Sequence, residues 1–421
     1  MFFMGTLLSQ AFRAQAIKTK DISIINEQQH SVAYSTGFLP IDFLNGYILN
    51  IKDRKYYEVG IIDGSINAVI ARSGAGKSTI CLQWAGNIIR RFNTSCVFMD
   101  NAEGGMLLSR ARQLANMDED TFRDRFILRD AGITTESIYD RVKMIHDIKI
   151  ANPDEYCYDT GIIDEYGKPV IKFEPTVYIL DSLKAILPKK LSEDEGTNMN
   201  GATTARVNSD IFLRLVPMCR EANIIMLIIN HITKKGIGSF LPQKSDLAYL
   251  KQDESLPGGK TTSTYLQNNI FRLDEKSKLK NGEAFGIDGA VVNVEIVKSR
   301  TNKAGKGCTL VFDQTNGYDP DLSLFMFLKE NNILEGAGAY LRLPNSDIKF
   351  SQRGFKEKLY TDMEFYKAFV STCYSALTLD LEKREAEKII AEKEANNMIS
   401  PYQAILDQLN SINNTIDTNA V

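Results

Sequence analysis

The fold is decided by the stretch INAVIARSGAGKSTICLQWAGNII, which occupies residues 66–89. Its first part, Ile66–Ile70, is a short apolar run rich in β-branched residues, which predicts a strand covered on both faces. Its last part, residues 79–89, has the length and apolar pattern of a helix. The glycine-rich segment ARSGAGKS, Ala71 to Ser78, therefore joins a strand to a helix N-terminus, where backbone N–H groups can hold an anion.

This segment predicts a phosphate-binding loop. It matches the pattern GxxxxGK[ST] except that Ala71 stands at the first glycine. In such a loop Lys77 neutralises the β- and γ-phosphates and the Ser78 hydroxyl binds Mg²⁺. We therefore expect ATP and Mg²⁺ here, bound by Arg72, Ser73, Gly74, Ala75, Gly76, Lys77, Ser78 and Thr79. The alternative is a glycine-rich turn that binds no nucleotide.

Three further apolar runs, Cys96–Asp100, Val177–Asp181 and Ile224–Asn230, predict buried parallel strands. They alternate with longer amphipathic segments, a pattern typical of an α/β fold with crossover helices. Asp181 ends its strand and follows the phosphate loop by about a hundred residues, so we expect it to hold a Mg²⁺-bound water. The alternative for Asp181 is an ordinary acid at a strand end.

Three polar residues are candidates for reaching the γ-phosphate or the water that attacks it. Glu103 comes just after the second strand and would lie at the carboxyl edge of the sheet. Asn230 and His231 end the strand IIMLIIN, from which a polar side chain can reach the γ-phosphate. The alternatives are a surface carboxylate for Glu103 and a structural role for His231.

The pattern changes after residue 263. Asn269–Leu273, Val291–Val297 and Thr309–Phe312 predict successive strands joined by polar turns, a mostly antiparallel extension of the sheet. From Asp321 the chain is expected to be mainly helical, with a solvated mixed-charge helix near residues 379–395 and a disordered tail over the last dozen residues. The segment IIDEYGKPVIKF, within 152–173, predicts a hairpin insertion.

Composition limits the class of protein. The chain has 421 residues, with 43% hydrophobic and 24% charged residues and a net charge of -3, which is typical of a globular protein and requires any nucleic-acid site to be local. Six scattered cysteines suggest free thiols in a reducing cytoplasm. Three histidines without neighbours at ligand spacing argue against structural zinc. We expect no membrane segment and no signal peptide.

Taken in order, the motifs resemble the RecA family, including its bacteriophage UvsX-like branch, over about residues 33–345. STGFLPIDFLNG (Ser35–Gly46) resembles the segment that leads into the family's core, and FMDNAEGG resembles the strand that delivers its catalytic glutamate, here Glu103. ILDSLKAILP (Ile179–Pro188) matches the metal-binding strand. INHITKKGIGSF matches the segment that senses the γ-phosphate, so the resemblance gives that role to His231, where most RecA proteins have glutamine.

The resemblance also implies two DNA-binding segments. SEDEGTNMNGATTAR (Ser192–Arg206) falls where the first mobile loop belongs, so Met199 and Arg206 would contact DNA. The second loop spans Thr233 to Thr262, where lysines would contact phosphates and Phe240 could stack between bases. Its expected contacts are Lys234, Lys235, Phe240 and Lys260. On composition alone it is a long polar surface loop.

VEIVKSRTNKAGKG (Val294–Gly307) resembles the strand whose two basic residues act in trans on the neighbouring subunit's ATP, which gives that role to Lys298 and Arg300. The alternative is that they are rim charges. The resemblance further implies a helical filament in which the N-terminal helix and the strand near Ile22–Ile25 dock on the next subunit.

We therefore expect a DNA-dependent ATPase that forms filaments on single-stranded DNA and pairs it with homologous duplex DNA in recombination and repair. We expect the protein in the cytoplasm, that of the host if the gene is viral, with single-strand-binding and loader proteins among its partners. The expected organisation is an N-terminal oligomerisation element (1–34), a RecA-like core (35–320) and an α-rich C-terminal domain (321–421). The alternatives are a ring-forming hexameric helicase and a regulatory paralogue without strand exchange.

Overall fold

The computed structural model describes residues 30–189, 201–234, 250–251, 254–257, 265–280, 285–336, 340–344 and 346–417, without the side chains of 201–203, 234 and 392–417. The strands of this part are β1 (Ala33–Tyr34), β2 (Tyr47–Ile51), β3 (Arg54–Glu58), β4 (Ile61–Ile62), β5 (Ile66–Ala71), β6 (Val97–Asn101), β7 (Phe126–Arg129), β8 (Cys157–Ile163), β9 (Pro169–Phe173), β10 (Thr176–Asp181), β11 (Ile224–His231), β12 (Thr233–Lys234), β13 (Glu254–Ser255), β14 (Asn269–Leu279), β15 (Gly289–Ser299), β16 (Lys306–Asp313), β17 (Gly317–Asp319), β18 (Tyr340–Arg342) and β19 (Lys349–Ser351). The helices are α1 (Leu39–Asn45), α2 (Lys77–Ile89), α3 (Leu108–Ala115), α4 (Glu119–Arg125), α5 (Thr135–Ala151), α6 (Pro153–Tyr156), α7 (Gly201–Glu221), α8 (Pro320–Glu330), α9 (Phe355–Thr361) and α10 (Met363–Asp417).

The centre of the molecule is a nine-stranded sheet with the order β17-β16-β15-β14-β5-β11-β10-β6-β7. The six strands from β14 to β7 run parallel, and β15, β16 and β17 continue the sheet in antiparallel fashion. The predicted α/β class, the mostly parallel sheet and its antiparallel extension are thus confirmed, and the fold is consistent with a RecA-like core. β5 lies between β14 and β11, so the glycine-rich segment leaves from the middle of the sheet.

Helices cover both faces of the sheet because its central strands are apolar at almost every position. All six residues of β5 and of β10 are buried. One face packs against α2, where Trp84 and Phe271 meet edge to face with ring centroids 5.0 Å apart. The other face packs against α5 and α7 through Ile138, Phe212 and their neighbours. The sheet is therefore held rigidly between two apolar layers.

The residues after 320 share a core with the sheet. Phe43 of α1 and Val311 of β16 belong to the same cluster as Phe325, Phe355 and Phe365. The described part of this segment is mainly helical, as predicted, although β18 and β19 form a short antiparallel pair that the sequence pattern did not indicate. The expected boundaries of 1–34, 35–320 and 321–421 stay predictions, and residues 1–29 lie outside the described residues.

The final helix, α10, is 55 residues long and includes the mixed-charge segment near 379–395. Its first half buries one residue every four, as Phe365, Phe369, Cys373, Leu377 and Leu381 show. The prediction of a disordered tail over the last dozen residues was wrong up to Asp417. The polar composition suggested disorder, but the backbone continues the helix that the packed half begins.

The predicted hairpin insertion is confirmed as β8 paired with β9 in antiparallel fashion. It is fixed to the core by the Lys172–Asp63 ion pair at 2.8 Å and by the Ile163 N–H, which donates to the Tyr56 hydroxyl at 3.1 Å. Within the described residues, no helix is both long and apolar enough to cross a membrane.

Candidate nucleotide-binding and catalytic site

The glycine-rich segment forms the turn between β5 and α2 that its sequence predicts. Gly74 and Gly76 have φ angles of +79° and +76°, a region that favours glycine. A Cβ added to Gly76 would approach the Tyr318 hydroxyl to 2.9 Å. That hydroxyl donates to the Ala75 carbonyl oxygen at 3.0 Å, so the last strand of the antiparallel extension supports the loop from behind.

Lys77 is buried at the first position of α2, with its Nζ at the centre of the site. Nζ donates to the Arg72 carbonyl oxygen at 3.0 Å and lies 3.4 Å from Nδ1 of His231. Burial lowers the pKa of Lys77, an effect that Asp181 and Glu103 oppose. An anionic phosphate beside Nζ would strengthen the charged form of this lysine.

Ser78 and Asp181 come together as the sequence predicts, with Ser78 Oγ donating to Asp181 Oδ2 at 2.5 Å. Burial raises the pKa of Asp181 above its ordinary value, whereas the Ser78 hydroxyl lowers it. A hydroxyl and a carboxylate from two elements give the oxygen ligands that Mg²⁺ prefers in nucleotide sites. The two residues therefore fit a magnesium ion, whose charge would compensate the buried carboxylate.

Glu103 lies within the same cluster. It follows the end of β6 in a turn, and its backbone N–H donates to the Asp181 carbonyl oxygen at 3.3 Å. Its Oε1 accepts a hydrogen bond from Ser182 Oγ at 2.5 Å and lies 2.9 Å from Nε2 of His231. The additional residue, Asn101, is accommodated as the last residue of β6, opposite Asp181.

His231 connects the lysine to the glutamate through its two ring nitrogens. Burial first, and then the charge of Lys77, lower the pKa of His231. The ring is therefore assigned as neutral, with Nδ1 accepting from Lys77 and Nε2–H donating to Glu103. In this tautomer His231 links the residue beside the phosphates to the residue expected to act on water.

Sequence reasoning missed Ser182, Tyr318 and a buried ion-pair network. Glu254 bonds Arg272 NH1 at 2.9 Å and Arg72 NH2 at 3.4 Å, so it joins the phosphate loop to β14. Ser182 adjoins Asp181 in sequence, which was a usable signal. The other contacts depend on the order of the strands, which no local pattern reveals.

The two expected DNA segments start from the strands that carry the site. The first follows β10, and the second begins at Thr233, two residues after His231 at the end of β11. Among the described residues of the stretch from Thr233 to Thr262, β12 pairs with β13 in antiparallel fashion. Arg206 is exposed on α7. Lys235, Phe240, Lys260 and Met199 lie outside the described residues, as does the side chain of Lys234.

Lys298 and Arg300 lie far from the phosphate loop of their own chain. Lys298 pairs with Ile270, and the next position, Ser299, pairs with Asn269 opposite Asn67, near the start of β5. The two side chains turn farther towards the amino ends of the strands, because Lys298 Nζ donates to the Gln267 oxygen at 2.9 Å and Arg300 donates to the Tyr265 oxygen. Burial and the neighbouring Arg300 lower the pKa of Lys298 to about 8.

No protein-family model matches the chain. The DNA repair protein RAD51 homolog 4 of Mus musculus is 20% identical over 186 residues, which is 44% of this chain and 51% of that protein. The protein RecA of Mycoplasma mycoides subsp. mycoides SC is 25% identical over 170 residues, which is 40% of this chain and 46% of that protein. The matches thus span about half the length of these relatives. This weak homology, on a fold consistent with a RecA-like core, supports membership of the RecA family.

Proposed function

We propose that the protein hydrolyses ATP with Mg²⁺ at the site formed by Lys77, Ser78, Glu103, Asp181 and His231. The observation that carries this proposal is the continuous set of contacts from Lys77 through His231 to Glu103, beside the Ser78–Asp181 pair. The loop N–H groups and Lys77 would bind the phosphates. Ser78 and Asp181 would hold Mg²⁺, which supplies charge stabilisation at the transferring phosphoryl group.

Glu103 is suited to orienting the attacking water. Its carboxylate is anchored by Ser182 and His231, and its side chain keeps 44% exposure, so it can still meet a water molecule. His231 would sense the γ-phosphate through Lys77, because loss of that phosphate changes the partner of Nζ. Since only Ile232 separates His231 from β12, this change would reach the second expected DNA segment.

We further propose that ATP is shared between subunits of a filament. Ser299 lies beside Asn269, which lies beside Asn67 of β5. The phosphate loop begins at Ala71, four residues farther along β5, so about 13 Å of strand separates the loop from the position of Ser299. Lys298 and Arg300 point away from this loop and would therefore serve the neighbouring subunit's nucleotide. Hydrolysis would then depend on assembly, as with an arginine finger supplied in trans.

The edge strand β7 offers a docking site for the N-terminal segment of the next subunit. β7 pairs only with β6 among the described strands, so its other edge carries unpaired backbone groups. Beside it lies a groove of about 640 Å³ lined by Leu108, Phe122 and Phe126, and the neighbouring Leu107 is 69% exposed. The strand near Ile22–Ile25 is the expected occupant, by strand addition.

The function that these features support is that of an ATP-dependent recombinase. It would form filaments on single-stranded DNA and exchange strands with homologous duplex DNA, in the cytoplasm, with single-strand-binding and loader proteins as partners. Met199, Arg206, Lys234, Lys235, Phe240 and Lys260 would contact the DNA. The bacteriophage UvsX-like branch remains a prediction from the motifs alone.

A second candidate function is a RecA-like regulatory protein that binds ATP without strand exchange. The similarity to a RAD51 homologue, a DNA repair protein, is the observation that favours it. The assembled catalytic contacts at Glu103 favour the recombinase, because a protein that only binds nucleotide has no need of a residue that orients water.

The deciding experiment measures ATP hydrolysis with and without single-stranded DNA over a range of salt concentrations, with Lys77→Ala as control. The recombinase predicts stimulation by DNA that weakens as salt rises, and joint molecules formed with a homologous duplex. Electron microscopy of the DNA complex would show helical filaments rather than rings. Hydrolysis at a normal rate by Lys77→Ala, or no stimulation of the wild-type protein, would contradict the proposal.

A further inference from the structure

Three residues before Glu103, a fully buried carboxylate is surrounded by cations. Asp100 is 0% exposed at the end of β6. Arg129 on β7 donates to both of its oxygens, from Nε at 2.9 Å and from NH2 at 2.5 Å. Arg141 on α5 and the hydroxyl of Tyr178 on β10 also donate to it. Asp100 therefore joins β6, β7, β10 and α5 at the base of the turn that presents Glu103.

The chemistry of this cluster favours a fixed geometry. Burial, and then the charge of Asp100, raise the pKa of Tyr178 well above its ordinary value, so the hydroxyl stays a donor. The planar guanidinium of Arg129 bonds the carboxylate at two points, which fixes orientation as well as distance. The hydrogen bonds to Asp100 come from Arg129, Arg141 and Tyr178 and not from the residues of the nucleotide site, so the role considered for the cluster is positioning.

Helix α5 carries Arg141 of this cluster, and its first turn contacts the chain both before and after the first expected DNA segment. At its first turn, the Thr135 N–H donates to the Leu187 carbonyl oxygen at 3.2 Å, and the Lys189 N–H donates to Glu136 Oε2 at 2.8 Å. On the far side of the segment, the Thr135 hydroxyl donates to Asn208 Oδ1 on α7 at 2.6 Å.

Lys189 precedes the expected DNA segment (Ser192–Arg206) by three residues and Asn208 follows it by two, and the first turn of α5 contacts both residues. Arg141 lies six residues along the same helix, about 9 Å from Thr135. A displacement of the helix at its first turn would be transmitted to Asp100, because a 17-residue helix whose inner face packs against the sheet and α7 moves as a rigid unit.

We propose that Arg141 is a positioning residue that, through Asp100, couples the first DNA-binding segment to the placement of Glu103. The inference rests on the proposed DNA-stimulated hydrolysis and names a route for it. DNA bound between Lys189 and Asn208 would fix α5, and α5 would fix the turn that carries Glu103. The route is separate from the one through His231 and the second segment.

The test compares Arg141→Met with Arg141→Lys in the full-length protein. The matched control is Arg342→Met, an arginine 47% exposed whose partner is Glu335. The measurements are the ratio of ATP hydrolysis with and without oligo(dT), the dissociation constant for labelled oligo(dT) and the melting temperature. We expect Arg141→Met to lower the stimulation ratio by about tenfold, the size of a common coupling between sites, with DNA affinity retained.

Arg141→Lys should recover part of the ratio, because the charge remains while the planar guanidinium is lost. Thr135→Val acts at the other end of α5 and should lower the ratio too, and the double variant should lose less than the two effects combined. If Arg141→Met does not fold, Thr135→Val decides. An unchanged ratio in the folded variants would overturn the inference alone, whereas a wild-type protein without DNA stimulation would overturn the proposed function first.

Discussion

If Lys298 and Arg300 act across a subunit boundary, two inactive variants should restore each other. Lys77→Ala removes the phosphate contact of a subunit, and Arg300→Ala removes what that subunit gives to its neighbour. Each variant alone should lose hydrolysis by about 10³-fold or more, the size of an arginine finger's contribution. In a mixture, an active interface between two subunits needs the phosphate loop of an Arg300→Ala subunit and the Arg300 side chain of a Lys77→Ala subunit.

With equal amounts and random assembly, each of these two choices has a probability of one half. About one quarter of the subunit interfaces should then be active, so hydrolysis averaged over all interfaces should return to about 25% of the wild-type rate. The assay is DNA-dependent ATP hydrolysis across mixing ratios, with maximal recovery expected near equal amounts. Full activity of Arg300→Ala alone, or mixed filaments that show no recovery, would refute the reasoning.

Three other outcomes follow from the site and the core. Lys77→Ala should weaken ATP binding as well as lower hydrolysis by about 10³-fold, at an unchanged melting temperature, and nucleotide titration by fluorescence checks the binding. The folded protein lowers the pKa of His231, so protonation of the ring favours the unfolded chain. The contribution of the neutral ring to stability is complete above the pKa of the unfolded chain, about 6.5. Stability and hydrolysis should therefore fall as the pH drops through the lower pKa of the folded protein. His231→Gln should flatten that acid limb of the rate profile and keep most activity, whereas retention of the limb would show that another group titrates. Phe369→Ala should cost about 3–5 kcal/mol in the free energy of unfolding measured with urea, because the ring is 1% exposed, while exposed Tyr366→Ala should cost far less.

The strands and the phosphate loop could be predicted because their signals are local. An apolar run such as Ile224–Asn230 identifies a doubly covered strand whatever its neighbours are, and the loop between β5 and α2 is a contiguous motif. The proximity of Asp181 and Glu103 was also accessible, because both follow parallel strands and the carboxyl ends of such strands share one edge.

The remaining features depend on which strands are neighbours. Tyr318 supports the phosphate loop only because the antiparallel extension returns the chain to α2, and nothing in the local sequence GYDP indicates this. The Asp100 cluster joins residues up to 78 positions apart. The polar composition of the last residues predicts disorder, and no local pattern there shows that the packed first half of α10 anchors a helix that continues to Asp417.

The hydrogen bond from Tyr318 to Ala75 sets a limit on how the protein can be divided. A fragment that ends at Asp313, after the last long strand, would contain every residue of the nucleotide motifs and still lose the aromatic ring on which Gly76 rests. Such a fragment should bind nucleotide poorly although its motifs are complete. The shortest functional ATPase fragment should therefore extend at least to Tyr318, in the last strand of the sheet.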